Sequence, residues 1–353
     1  MQKSKGIALV LTLILVLGLA SLAIGCGGDD AEETTTTEGT EDTTTTEAAE
    51  ETTTTEAKVY RIGTTQIVSH PALDAVVEGF KEAMAEEGFV EGENVEYDVQ
   101  NAQGEMATAS SIAQKFVSDD VDLILSVATP TSQAAAKATT DIPIVFSAVT
   151  DPVAAGLVKN PDAPEGNITG VSDMLPLQPH LDLIQSLVPD AQTIGLLYNA
   201  GEANSVALVE KEKELAADLG LETEEATAAK SAEVQSAAQS LIGRVDAISV
   251  LTDNTVVTGL ESVVQIAQEN DIPLIAGDID SVKRGAAAAY AFDYKDLGRQ
   301  TGRMVARILK GQAISDSPVE YAEDLQLAVN PASAEAMGMT ISEDFKSEAD
   351  EVF

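Results

Sequence analysis

From Lys58 onward, short apolar runs alternate with longer segments of helical period, and this alternation constrains the fold more than any other feature of the chain. Strands covered on both faces read as nearly continuous apolar runs, and joining two of them in parallel takes a crossover long enough to hold a helix. Strands are therefore expected at residues 59–63, 121–128, 142–149, 193–198, 247–251, 273–276 and 286–291. The first helix carries Leu73, Val76, Val77, Phe80 and Met84 on one face, with Pro71 at its first position and Gly88 at its stop. Further helices are expected at 106–118, 131–138, 177–187, 204–219, 231–242, 258–270 and 297–310. So many elements exceed a single α/β unit. The expected fold is α/β, with two doubly wound parallel-sheet lobes.

Ahead of this region the chain has a different character. Lys3 and Lys5 precede an unbroken apolar run over 7–24, followed by Gly25, Cys26, Gly27 and Gly28. That is the charged, apolar, small-residue order of an export signal, although the run is nearly long enough for an uncleaved membrane anchor. Leu22-Ala23-Ile24-Gly25-Cys26 resembles a bacterial lipobox, with Ala23 where Leu is preferred, and makes Cys26 a candidate for lipidation. Residues 1–25 then form a lipoprotein signal peptide, and 26–57 a lipidated Cys and linker. The linker carries the Thr quartets 34–37, 43–46 and 52–55 among acids. It has almost nothing apolar to bury, so ordering entropy goes unopposed and the segment is expected to be a disordered spacer. Either end product tethers the protein outside the cytoplasm, at a membrane.

Composition narrows the function. With 59 acidic and 20 basic residues in 353, the formal net charge is -39, a field that repels phosphate backbones and anionic headgroups. No nucleic-acid partner is expected. A single Cys rules out an intramolecular disulfide, a Cys-rich zinc site and a redox pair. Only two His are present, and no Gly-x-Ser-x-Gly elbow, phosphate loop or dinucleotide fingerprint accompanies them, so neither catalysis nor a cofactor or metal is expected. His180, at a Pro-flanked helix start, reads as a surface residue, and Glu210, Glu212 and Glu214 read as a solvated helix face.

Binding suits the inventory better. In open parallel sheets, ligands sit beyond the carboxyl ends of the strands, where loops diverge and helix N-termini point outward. Those ends carry Gln66 with Thr64 and Thr65, Thr129 with Thr131 and Ser132, Ser147 with Thr150 and Asp151, Asn199, Thr252-Asp253-Asn254, and Asp278. His70 lies beside the first strand end. Helix capping accounts for any one of these residues as well as ligand contact does. Taken together they suit a zwitterion: Thr131 and Ser132 for its carboxylate, and Asp253, Asp278 or Asp293 for its ammonium. An aromatic guest would want Tyr198 or Tyr290 to stack on.

Several stretches resemble one family, the bacterial ABC-transporter substrate-binding lipoproteins whose known members bind tryptophan or phenylalanine. They are 65–74, 128–133, 147–153, 169–173, 198–205, 252–254, Asp293-Tyr294 and 297–302, in order over essentially all of the chain after Lys58. The resemblance implies a periplasmic-binding-protein type I fold. Its lobes would be 58–172 with 295–318, and 173–294 with 319–353. Three strands would cross the hinge near 171–174, 292–294 and 318–326, with hinge positions at Asp173 and Asp293. It also implies hinge closure on a small amino-acid-like ligand, with an aromatic amino acid expected, and delivery to an ABC permease and its ATPase. Matched stretches and strand ends together nominate Gln66, His70, Thr129, Thr131, Ser132, Ser147, Asp173, Tyr198, Asn199, Asn204, Asp253, Asn254 and Asp278 as ligand residues. A sugar or nucleoside receptor of the same fold, and a membrane-tethered sensor without cargo, remain the alternatives.

Overall fold

The computed structural model describes residues 58–353. The signal segment, the lipobox Cys26 and the Thr-rich spacer lie outside the described residues. The first lobe begins with β1 (Tyr60–Gln66), α1 (Pro71–Glu86), β2 (Val95–Asn101), α2 (Met106–Ser118), β3 (Leu123–Val127), α3 (Thr129–Ala138), β4 (Ile144–Ser147) and β5 (Ile168–Ser172). The chain then passes to the second lobe. There it forms α4 (Leu177–Leu187), β6 (Thr193–Tyr198), α5 (Ala203–Asp218), β7 (Glu222–Thr227), α6 (Val234–Gln239), β8 (Ala247–Val250), α7 (Asn254–Thr258), α8 (Leu260–Glu269), β9 (Leu274–Ala276), α9 (Ile279–Lys283) and β10 (Ala288–Ala291). Helix α10 (Tyr294–Leu309) and β11 (Glu320–Tyr321) return to the first lobe. The chain ends in the second with β12 (Gln326–Val329), α11 (Pro331–Ala336), α12 (Glu343–Glu348) and β13 (Glu351–Val352).

The six-stranded first sheet runs β11-β5-β4-β3-β1-β2, and the seven-stranded second runs β13-β12-β10-β9-β8-β6-β7. Each sheet reverses direction where its first strand sits between its second and third, which places topological switch points between β1 and β3 and between β6 and β8. Crevices for ligands open at the carboxyl side of such points. Every pair is parallel except β10 with β12, so the second sheet is mixed at that edge.

Each lobe has its own core. The first gathers Phe80, Phe116 and Phe146 with the apolar face of α10, and the second gathers Leu181, Ile184, Leu196 and Ile248 with Met337 and Ile341 from the C-terminal stretch. Helices α1 and α10 approach so closely that a Cβ on Gly298 would lie 2.1 Å from the Val76 carbonyl oxygen, and one on Gly79 2.0 Å from that of Lys295. Side chains fill the flanks of this contact: Lys295 pairs with Glu78 and Glu82, and Arg299 with Glu82 and Glu86.

The structure contains strands that the apolar pattern did not announce. β2 and β7 are edge strands with half-exposed acids and so lack an apolar run. β5, β11, β12 and β13 are short. The helix expected over 258–270 is α8, and a short helix that the reading did not expect, α7, precedes it, the two meeting at Gly259. Glu320 and Tyr321 pair with β5 in the first sheet, whereas the sequence reading assigned 319 onward to the second lobe.

Candidate functional site

Three connections cross between the lobes, after β5, after β10 and after β11, and the strand ends of both sheets face a slot beside them. From the first lobe the slot is lined by His70, Ala72 and Leu73 at the start of α1, by Ala148 and Thr150 after β4, and by Tyr294 of α10. Asp173 lines it from the first crossing. The second lobe contributes Asn204 of α5, Thr252, Asp253 and Asn254 after β8, Val257 of α7 and Asp278 after β9. About 340 Å³ of atom-free space lies within the slot and at its open mouth. α1 meets α9 and α3 meets α5 across it.

Of the residues nominated from sequence, the slot brings together His70, Asp173, Asn204, Asp253, Asn254 and Asp278. The others are turned to neighbours within the chain. Gln66 donates to the Val68 carbonyl and to Asp74 at 2.6 Å. Thr131 donates to the Val127 carbonyl oxygen at 2.6 Å, and Ser132 bonds with Ser126, a local satisfaction of hydroxyls at a helix start. Ser147 meets Thr301 at 2.8 Å, tying β4 to α10. Thr129 is buried with its hydroxyl unpaired but does not line the slot. Asn199 folds back to Thr255 and to the Gly201 N–H. Tyr198 donates to Glu225 at 2.5 Å, which ties up its hydroxyl, and neither it nor Tyr290 lines the slot. Among the described residues, the aromatic rings that line the slot are those of His70 and Tyr294. Thr150 and Thr252 stood among the polar strand ends but were not nominated as ligand residues, and Tyr294 was named only in a matched stretch and a hinge strand. Ala72, Leu73, Ala148 and Val257 carry no polar signal at all.

The carboxylates nominated for an ammonium are already engaged. Asp253 caps α7 through the Val256 N–H at 2.7 Å and also accepts from the Asn199 N–H and the Ser205 hydroxyl, both at 2.6 Å. Asp278 caps α9 by accepting from the Ser281 N–H and hydroxyl. Asp293 caps α10 through Lys295 and Asp296 and does not line the slot. Capping is thus what these side chains do in the structure. Asp173 accepts from Thr150 at 3.0 Å and from the Tyr294 hydroxyl at 2.8 Å, joining the crossing strand to both β4 and α10. Burial disfavours charge on Asp173, Asp253 and Asp278. It raises Asp173 and Asp278 above the ordinary carboxylate range. Burial together with the Glu202 carboxylate pushes Asp253 up to about 7. Burial and then the Arg284 charge lower His70 to about 4, so its imidazole is neutral and accepts from the Leu73 N–H at the start of α1.

Two readings of the second lobe are overturned. His180 is fully buried, not at the surface, and its Nε2 lies 2.9 Å from the Ser249 hydroxyl. Glu212 is fully buried as well, its Oε1 3.7 Å from His180 Nε2, while Glu210 and Glu214 are exposed as expected. Successive residues of a helix turn by about 100°, so Glu212 points away from the face that Glu210 and Glu214 share, and it joins the buried stripe of Leu208, Val209 and Ala216. It lines a second, smaller cavity with Ser205, Ser249 and Asp253.

Comparison with known proteins agrees with this architecture. The model of the ABC transporter substrate binding protein family matches residues 61–353. A tyrosine-binding protein of Clostridioides difficile (strain R20291) is 39% identical over 339 residues, covering 96% of this chain and 94% of that protein. The structure of an ABC domain in complex with L-Trp from Streptococcus pneumoniae is 36% identical, covers 84% of this chain and 100% of its own, and superposes with a TM-score of 0.81. The ligand-free, open structure of a substrate-binding protein with adhesive properties from Clostridium difficile is 43% identical over 83% of this chain and 99% of its own, with a TM-score of 0.65. The likeness is greater to the Trp complex although the open structure is nearer in sequence. Contact between α1 and α9 and between α3 and α5 agrees with lobes set together.

Proposed function

The chain belongs to the ABC transporter substrate binding protein family, and from that membership we propose that it captures an aromatic amino acid, tyrosine or tryptophan, between its lobes and hands it to an importer. The observation that carries the ligand class is the 39% identity, over 96% of the chain, to a protein named for binding tyrosine. The 36% identical relative solved with L-Trp supports the same class. The slot supports it chemically. Ala72 and Leu73 bring the first turn of a sixteen-residue helix to one wall; Pro71 has no N–H and that of Leu73 is given to His70, so the Ala72 N–H and the helix dipole are what favour a carboxylate there. The opposite wall is rich in acceptors, and Leu73, Val257 and Ala148 supply apolar surface for a side chain. Closure then follows from contacts that only a ligand spanning both walls completes, so the ligand shifts the lobes toward the closed arrangement.

In this reading Cys26 carries the lipid that holds the protein at the outer face of a membrane, and a permease with its ATPase receives the loaded form. The family's members are substrate-binding proteins, and no turnover of the ligand is expected. The test is a calorimetric titration of the protein with L-tyrosine, L-tryptophan, L-phenylalanine, a non-aromatic amino acid set and simple sugars. Saturable binding confined to aromatic amino acids is expected. Binding of a sugar, or of none of the aromatic amino acids, would refute the ligand assignment. Release of a Cys26→Ser protein from the membrane fraction, with wild type retained, tests the anchor.

A further inference from the structure

Glu202 does not line the slot, yet it organises the wall that does. It sits at the start of α5, 8% exposed, and its two oxygens accept from the side chains of Asn254 at 2.6 Å, Thr255 at 2.7 Å and Asn204 at 3.3 Å. They also accept from the backbone N–H groups of Thr255 at 3.1 Å and Asn254 at 3.3 Å. These contacts fix the direction of two amide groups. An Asn side chain offers N–H donors on one atom and only acceptance on the other. Turned over, Asn254 or Asn204 would set its carbonyl oxygen against a carboxylate oxygen with no hydrogen between them. The nitrogens must therefore face Glu202. The Asn204 nitrogen also donates to the Thr252 carbonyl oxygen at 3.0 Å. What remains is the Asn204 carbonyl oxygen, buried and without a partner, and the Thr252 hydroxyl, likewise buried and unpaired.

Asn204, Thr252 and Asn254 all line the slot, and among the described residues no Lys or Arg does. A buried acceptor left unpaired keeps its full desolvation penalty, so this wall favours a guest that brings donors. We propose that Glu202 is a specificity-determining positioning residue: by holding the Asn204 amide with its oxygen free, beside an Asn254 amide fixed in the same way, it makes this wall the receptor for the ligand's ammonium group, in place of the capping carboxylates Asp253 and Asp278. The inference rests on the amino-acid reading above and adds which atoms recognise the amino group and what orients them.

Replacing Glu202 with Gln puts an N–H donor where Asn254 or Asn204 needs an acceptor and frees an amide to turn its nitrogen toward the slot. The experiment measures dissociation constants of the full chain and of Glu202→Gln and Asn204→Leu variants. The probes are L-tyrosine, L-tryptophan and their α-hydroxy acid counterparts, in which a hydroxyl replaces the ammonium. The expected result is that the preference for the amino over the hydroxy compound falls about ten-fold in each single variant, and falls by less than the product of the two in the double variant, because Glu202 acts through Asn204. Melting curves without ligand show whether each variant is folded. Should Glu202→Gln not fold, the Asn204→Leu ratio decides alone. A ratio that does not change, or equal weakening of amino and hydroxy compounds, would overturn the assignment and leave the aromatic-ligand reading standing. Failure of the wild-type chain to bind either amino acid would overturn that reading, and this inference with it.

Discussion

Replacing Glu212 with Gln should make the protein more stable at pH 8 and leave that gain absent at pH 4. Glu212 lies in the second lobe between α5 and β8 with neither carboxylate oxygen hydrogen-bonded, and its nearest cationic candidate, His180, is itself held neutral by burial, at about 4. Burial moves the Glu212 carboxyl from 4.5 to about 7. A folded pKa above the unfolded one means that the native state holds the proton more tightly, so the group's stabilising contribution is complete below 4.5 and is lost as pH rises through 7. At about 1.4 kcal/mol per unit, the loss is on the order of 3 kcal/mol. Gln has no proton to lose and nearly the same shape. Urea unfolding of both proteins at pH 4 and pH 8 isolates the effect, because every other titrating group is common to the two. The stability difference, variant minus wild type, should move in the variant's favour by about 3 kcal/mol between the two pH values. A difference that stays constant across that range would refute the claim that Glu212 is buried without a charge partner.

The two histidines give a second pH test with the opposite sign. His70 and His180 are both lowered from 6.5 to about 4, so the unfolded chain takes up protons first and their effect is to reduce stability as pH falls from 6.5 toward 4. With only two imidazoles in the chain, proton NMR should show no histidine signal titrating between pH 5 and 8 in the folded protein. A midpoint near 6.5 for either would place that ring in water. A Gly298→Ala variant should lose stability at or above the upper end of the roughly 1–3 kcal/mol typical of overpacking, because its Cβ would meet the Val76 carbonyl oxygen at 2.1 Å. An unchanged urea midpoint would show that α1 and α10 can part without cost.

The elements easiest to read in the sequence were those whose apolar period and ends agree. Helices α2 and α4 and strand β6 have the bounds that the pattern set, since in each the buried face runs the full length of the element. β2 and β7 escaped because an edge strand buries one face at most, and their acids remain in water. Helix α7 escaped because five residues are too few to show a helical period, whereas α8 was legible to within two residues at its start. In the site, topology made the strand ends legible: six of the nominated side chains do meet in one slot. What a linear sequence does not carry is the direction of each side chain at such an end. Asp253 and Asp278 turn inward to the first N–H groups of their own helices, and Tyr198 turns to Glu225.

Those inward turns bear on how the slot distinguishes its guest. Had Asp253 and Asp278 been free, the second lobe would present bare charge, attractive to any cation and costly to hold dry. Instead their oxygens are largely occupied within the lobe, and burial holds their protons more tightly than water would. The field in the slot is softened, and recognition passes to neutral acceptors whose direction is fixed. A neutral acceptor left unpaired in the closed state is penalised, whereas a merely weak charge contact is not, so a guest lacking the matching donor is rejected by desolvation. Because Asn204 and Asn254 are held by Glu202 through bonds lying wholly within the second lobe, that wall is already arranged before the lobes meet, and closure has only to bring the first turn of α1 against the other end of the ligand.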